Sequence, residues 1–141
     1  MKYLIILLSF FVDKSCTESN INQDVITIEY TASSRNMYNK IVINNTTISR
    51  TDKRGGKSIN KDCSKVLWDN LMETLKPIDV EHISNLESPS KKFLFDGAPI
   101  ARLKITYQDN SYETQPFDHG NPNKDLKELI DYILTISKNI E

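Results

Sequence analysis

The sequence predicts an α+β domain: one antiparallel sheet of about five strands with two helices packed on one face. Three observations predict it. Apolar residues alternate with polar ones in several short runs, the period of a strand with one face buried. Two longer runs repeat apolar residues at helical spacing. Turn-forming pairs such as Gly55-Gly56 and Asp96-Gly97 punctuate the short runs. The 141 residues suffice for one domain, and 38% hydrophobic with 26% charged residues is a globular balance.

Taken in order, residues 25–32 place Ile26, Ile28 and Tyr30 on one face and Thr27 and Glu29 on the other, a half-buried strand. After a turn at 33–37, residues 38–45 form a second strand through Ile41 and Ile43. Asn44 and Asn45 accept a positive φ, so pairing resumes over 46–51. The Gly-Gly turn within 52–57 returns the chain as a shorter strand at 58–63. Ser64 caps a helix over 65–76, whose stripe is Leu67, Trp68, Leu71, Met72 and Leu75, and Pro77 stops it. That stripe reads as core.

Residues 78–92 are a connection anchored by Ile78, Val80, Ile83 and Leu86, with His82 on its surface. Phe93-Leu94-Phe95 leads to Asp96-Gly97, read as a hairpin or bulge turn. The cleanest strand is 99–107, with Ala101, Leu103, Ile105 and Tyr107 on one face and Arg102, Lys104 and Thr106 on the other. The turn at 108–110 sends the chain back along 111–117 as a second hairpin. A last helix spans 122–138 through Leu126, Leu129, Ile130, Ile133 and Leu134, with Asn121 as its cap and Pro122 in its first position.

The N-terminus is organised differently. Lys2 precedes the apolar run 3–12, which has the length of a signal-peptide core and is too short to span the ~30 Å of hydrocarbon in a bilayer. Ser15-Cys16 follows, as in a bacterial lipoprotein signal whose cysteine is acylated. The expected organisation is a lipoprotein-type signal peptide at 1–15, a polar tether at 16–24 and a single domain at 25–141. The expected location is the cell envelope, lipid-anchored through Cys16 to a membrane facing the periplasm or cell surface. A plain cleaved signal and an uncleaved anchor are the other two readings of this segment. Without lipid on Cys16, a disulfide between Cys16 and Cys63 stays open; with it, Cys63 reads as a buried, inert thiol.

Charge is uneven. Residues 35–65 hold 8 basic and 2 acidic side chains, a net +6, and residues 66–141 hold 8 basic and 13 acidic, a net −5. Tyr38 alone interleaves the basic stretch, which argues for a solvated hairpin face and against nucleic acid. No cysteine or histidine spacing fits a metal, and no phosphate loop or nucleophile elbow occurs, so neither metal nor cofactor is expected.

The stretch Phe117-Asp118-His119-Gly120-Asn121-Pro122 draws most attention, with an acid beside a histidine ahead of a helix. It has a full explanation as a helix-starting turn. Its chemical reading is a contact loop shared with Asp96 and Gly97, in which Asp118, His119 and Gly120 meet a ligand or partner. A rarer alternative is a small exported hydrolase that uses Asp96, Asp118 and His119, which requires those carboxylates to lie close.

The segments ITIEYTASSRNMY, KVLWDNL, ISNLESPS, FDGAPIARLKITY and FDHGNPNKDLKELI resemble a group of small uncharacterised exported proteins and lipoproteins of flavobacteria and their relatives. The resemblance spans roughly residues 25 to 135. It implies an exported protein and supplies no activity and no catalytic residue. The order of elements is also similar to that of small bacterial inhibitors of thermolysin-like metallopeptidases, with Ser33-Ser34-Arg35 standing at the inhibitory turn. The functional expectation is a non-catalytic module that binds an envelope protein or peptide.

Overall fold

Alternation of buried and half-buried residues decides the sheet. A computed structural model describes residues 26–140. The signal peptide, Cys16 and the tether expected at 16–24 lie outside the described residues. In chain order the strands are β1 (Thr27–Ser33), β2 (Tyr38–Ile43), β3 (Thr47–Thr51), β4 (Ile59–Asp62), β5 (Ile100–Tyr107), β6 (Asn110–Glu113) and β7 (Phe117–Asp118). The helices are α1 (Lys65–Leu75) and α2 (Lys127–Lys138). The strand order is β4-β3-β2-β1-β5-β6, with β7 also paired to β5, and every pairing is antiparallel. Among the described residues the domain is thus α+β as expected, its antiparallel sheet extending the expected five or so strands to seven with the short edge pieces β6 and β7.

β1 is central. Its inward residues Ile28, Tyr30 and Ala32 stand opposite Ile43, Ile41 and Asn39 on one side and Ile105, Leu103 and Ala101 on the other. Both helices lay their apolar stripes on this face: Trp68, Leu71, Met72 and Leu75 from α1, and Leu129, Ile130, Ile133 and Ile136 from α2. Each such aliphatic side chain contributes roughly 2 kcal/mol by leaving water. The opposite face carries Thr27, Glu29, Thr31, Lys40 and Lys104, none of them fully buried, and Glu29 pairs with Lys40 at 3.0 Å.

The local signals work as the sequence proposes at α1, where the Ser64 hydroxyl accepts from the Leu67 amide at 3.3 Å. At α2 they differ. Asn123, not Asn121, caps: its side chain accepts from the Asp125 amide at 3.0 Å, a 3-10 turn covers Lys124–Leu126, and α2 begins at Lys127. Asn121 is drawn away because it bridges back to Asp118 and donates to Ser90. The far end of α2 draws on the basic hairpin. Arg50 donates to the Ser137 carbonyl and Lys61 to the Asn139 carbonyl, each at 3.1 Å, a favourable place for cations.

The returning strand is also not continuous. Lys104 stands opposite Glu113, yet Ala101 stands opposite Phe117, so the outer strand holds one residue too many. This is a β-bulge around Gln115 and Pro116, and a proline with no N–H to donate belongs at such a point. Thr114 stitches it: its amide donates to the Leu103 carbonyl at 2.9 Å and its hydroxyl accepts from the Leu103 amide at 3.1 Å. The slip puts Phe117, not its neighbour, on the core face beside Tyr30, with ring centroids 6.2 Å apart.

Candidate functional site

The bulge aims Asp118 away from the core and toward the long connection. The residue is 3% exposed. It accepts from the hydroxyl of Ser90, from the Phe93 amide at 2.8 Å and from the Lys92 amide at 3.1 Å. Those amides open a single 3-10 turn, Lys92–Phe95. Phe93-Leu94-Phe95 and the following Asp96-Gly97 are therefore not a hairpin or bulge turn but a short helical turn and its exit. The reason is the carboxylate, which satisfies the free N–H groups at the start of such a turn. Burial pushes the Asp118 carboxyl up, but the Ser90 hydroxyl, the Phe93 and Lys92 amides and the Lys92 ammonium outweigh it and hold it below the usual carboxylate value.

Further bonds lace the two segments together. Asn121 donates to the Ser90 hydroxyl at 2.8 Å, Asn123 donates to the Glu87 carbonyl at 2.9 Å, and the His119 amide donates to the Pro99 carbonyl at 2.9 Å. At its exit, the amides of Asp96 and Gly97 both return to the Lys92 carbonyl, the latter at 2.9 Å. Asp96 sits in the left-handed region at φ 56°. Closures of this kind usually put glycine at the left-handed position; here glycine comes one residue later.

His119 faces the other way. Its Nδ1 lies 2.8 Å from the Tyr30 hydroxyl in the heart of the sheet. Burial raises the Tyr30 phenol far above its usual value, partly offset by a hydrogen bond from the Gly120 backbone. Burial also lowers the His119 imidazole from its usual value. Tyr30 and His119 share this hydrogen bond, and the Gly120 backbone is a second partner of the phenol. This seats the 119–121 turn on the core.

The candidate residues thus come together as neighbours of one loop system, but their functional atoms diverge. Asp118 is occupied by Ser90, Lys92 and Phe93, His119 by Tyr30, and Asp96 by Arg35 at 3.6 Å on the open surface. General acid–base chemistry needs such groups aimed at one reacting atom. Among the described residues no group of three His, Cys, Asp or Glu side chains is arranged to hold a metal. His82 is exposed and bonds Asp79 at 2.9 Å. Cys63 is buried, which pushes its thiol up and makes it a poor nucleophile.

What this loop system presents is apolar. Leu94 is 62% exposed and Phe95 is 85% exposed at the crest of the turn. The sequence places Tyr30 in a strand and Leu94 and Phe95 in a short apolar run, and assigns none of them, nor Ser90, to the site. Two signals were available: Pro116 inside a strand pattern marks a bulge, and Phe93-Leu94-Phe95 between Lys91-Lys92 and Asp96-Gly97 is too short to bury itself. Set against known proteins, the chain matches no family model, no curated protein and no solved structure.

Proposed function

We propose that the protein is a non-catalytic binding module of the cell envelope, held to a membrane by lipid on Cys16, whose domain recognises a protein or peptide through the 88–97 loop. The observation that carries this reading is a division of labour. Asp118 holds the loop, His119 and Gly120 seat the turn beside Asp118 on Tyr30, and Asp96 and Gly97 end the turn that displays Leu94 and Phe95. Adjacent large apolar side chains on a fixed surface turn are a common mark of a contact site. The hydrolase reading lacks this support, because its three side chains are committed to three different partners.

The test is capture from detergent-solubilised envelope with the full chain as bait, beside Asp118→Asn. A discrete partner retained by the wild type and reduced about tenfold or more by Asp118→Asn, with the variant still folded by circular dichroism, supports recognition through the held loop. Equal capture by both chains, or no partner for either, removes the loop from the function.

A further inference from the structure

We infer that Leu94 and Phe95 form an anchor for an apolar pocket rimmed by carboxylates on a partner protein; this rests on the binding reading above and adds the chemistry of what is bound. Three loops meet at this end of the sheet. Arg54 donates to the Ser34 carbonyl at 3.4 Å and its guanidinium lies 5.9 Å from the centre of the Tyr38 ring, which joins the 52–57 turn to the 33–37 turn. Arg35 reaches Asp96 at 3.6 Å, which joins the 33–37 turn to the anchor.

Charge at this end is one-sided. Arg35, Lys53, Arg54, Lys57, Lys91 and Lys92 come from these loops and are all exposed or nearly so. Their acidic neighbours are already engaged: Asp52 by Arg50 at 2.8 Å, Asp96 by Arg35, and Asp118 by Ser90, Lys92 and Phe93. Among the described residues no ion pair engages Lys53, Arg54, Lys57 or Lys91. An apolar centre inside a basic rim is complementary to an apolar pocket inside an acidic one.

A fluid anionic lipid surface shares part of that chemistry, but two observations favour a protein. The anchor is rigid, with Asp118 closing one end of its turn and the Lys92 carbonyl the other. Preorganisation of that kind lowers the ordering cost of filling a shaped pocket. The anchor also lies at the Ser33 end of β1, whereas the chain enters β1 at Thr27, paired with Thr106 at the opposite end. Seven residues of strand separate the two ends by ~20 Å, so the anchor lies at the end of the sheet opposite to where the chain enters it.

The experiment is photo-crosslinking in the native host, with p-benzoylphenylalanine replacing Phe95 in the full chain. The same probe at Val66, 69% exposed on α1, is the surface control. The expected result is one protein adduct at position 95 whose crosslinked peptide combines apolar residues with Asp or Glu. Its yield falls about tenfold when Lys53→Glu and Lys91→Glu are combined, and again in high salt. An adduct unchanged by charge reversal and salt overturns the acidic rim while leaving the binding module standing. An adduct to lipid, an adduct to a second copy of the chain, or no adduct above the Val66 control overturns the inference and the protein-recognition reading together.

Discussion

Phe95-Asp96-Gly97 and Phe117-Asp118-His119-Gly120 look alike in the sequence and do opposite things in the fold. In the second, the phenylalanine is 2% exposed and the carboxylate accepts from two backbone amides and a hydroxyl. In the first, the phenylalanine is 85% exposed and the carboxylate meets an exposed arginine. One loop is a fastening and the other is what it fastens. An aromatic-acid-glycine run therefore has no fixed meaning; the strand register beside it assigns the role.

The largest contrast is between the two phenylalanines. Phe117→Ala removes a ring packed on Tyr30 and is expected to cost about 3–5 kcal/mol in chemical denaturation. Phe95→Ala is expected to change stability by no more than about 0.5 kcal/mol, since nothing folds over that ring. A large loss for Phe95→Ala would mean that the ring packs within the chain, and the anchor would have to be abandoned.

The two aspartates sharpen the comparison. Asp118→Asn places amide donors among three donors and is expected to lower the melting temperature clearly, whereas Asp96→Asn leaves it nearly unchanged, because Asn tolerates the left-handed region and an exposed ion pair contributes little. The sign with pH follows from the shift. Asp118 titrates lower in the fold than in the unfolded chain, so its stabilisation is complete above the unfolded value of 3.8 and is lost as pH falls through the lower folded value. Melting curves of wild type and Asp118→Asn should therefore converge in strong acid, separate as pH rises from the lowered folded value to 3.8, and keep a constant gap above it. A gap that does not close in acid would show that the charge on Asp118 is not what holds the loop.

How legible this was depends on which interactions set each element. β1, β5 and α1 carry their own evidence, because alternation, helical spacing and the Ser64 cap are local. The anchor is not local. Its turn forms because Asp118, 25 residues along the chain from Phe93, supplies the missing acceptor, and Asp118 reaches it only because the bulge near Pro116 shifts register by one. Asn121 and Asn123 are equal caps by residue type, and Ser90, on a distant segment, decides between them. The sequence marks both loops by their aromatic-acid-glycine runs, but which is holder and which is held depends on pairing between distant segments.

The smallest predicted effect tests whether the exposed loop is strained for display. Asp96 occupies the left-handed position at φ 56°, where a side chain meets a steric cost, while Gly97 beside it needs no positive φ. Asp96→Gly relieves that cost but gives the unfolded chain more freedom, so the net gain should be only about 0.5 kcal/mol. Gly97→Ala should lose a comparable amount, because a Cβ there would sit 3.2 Å from both the Cβ and the carbonyl oxygen of Lys92. Thermal denaturation of the two variants gives opposite signs if the turn closes as described. A loss for Asp96→Gly would mean that the Arg35 pair outweighs the backbone cost, and Asp96 would then belong with Asp118 among the residues that hold the loop rather than those it displays.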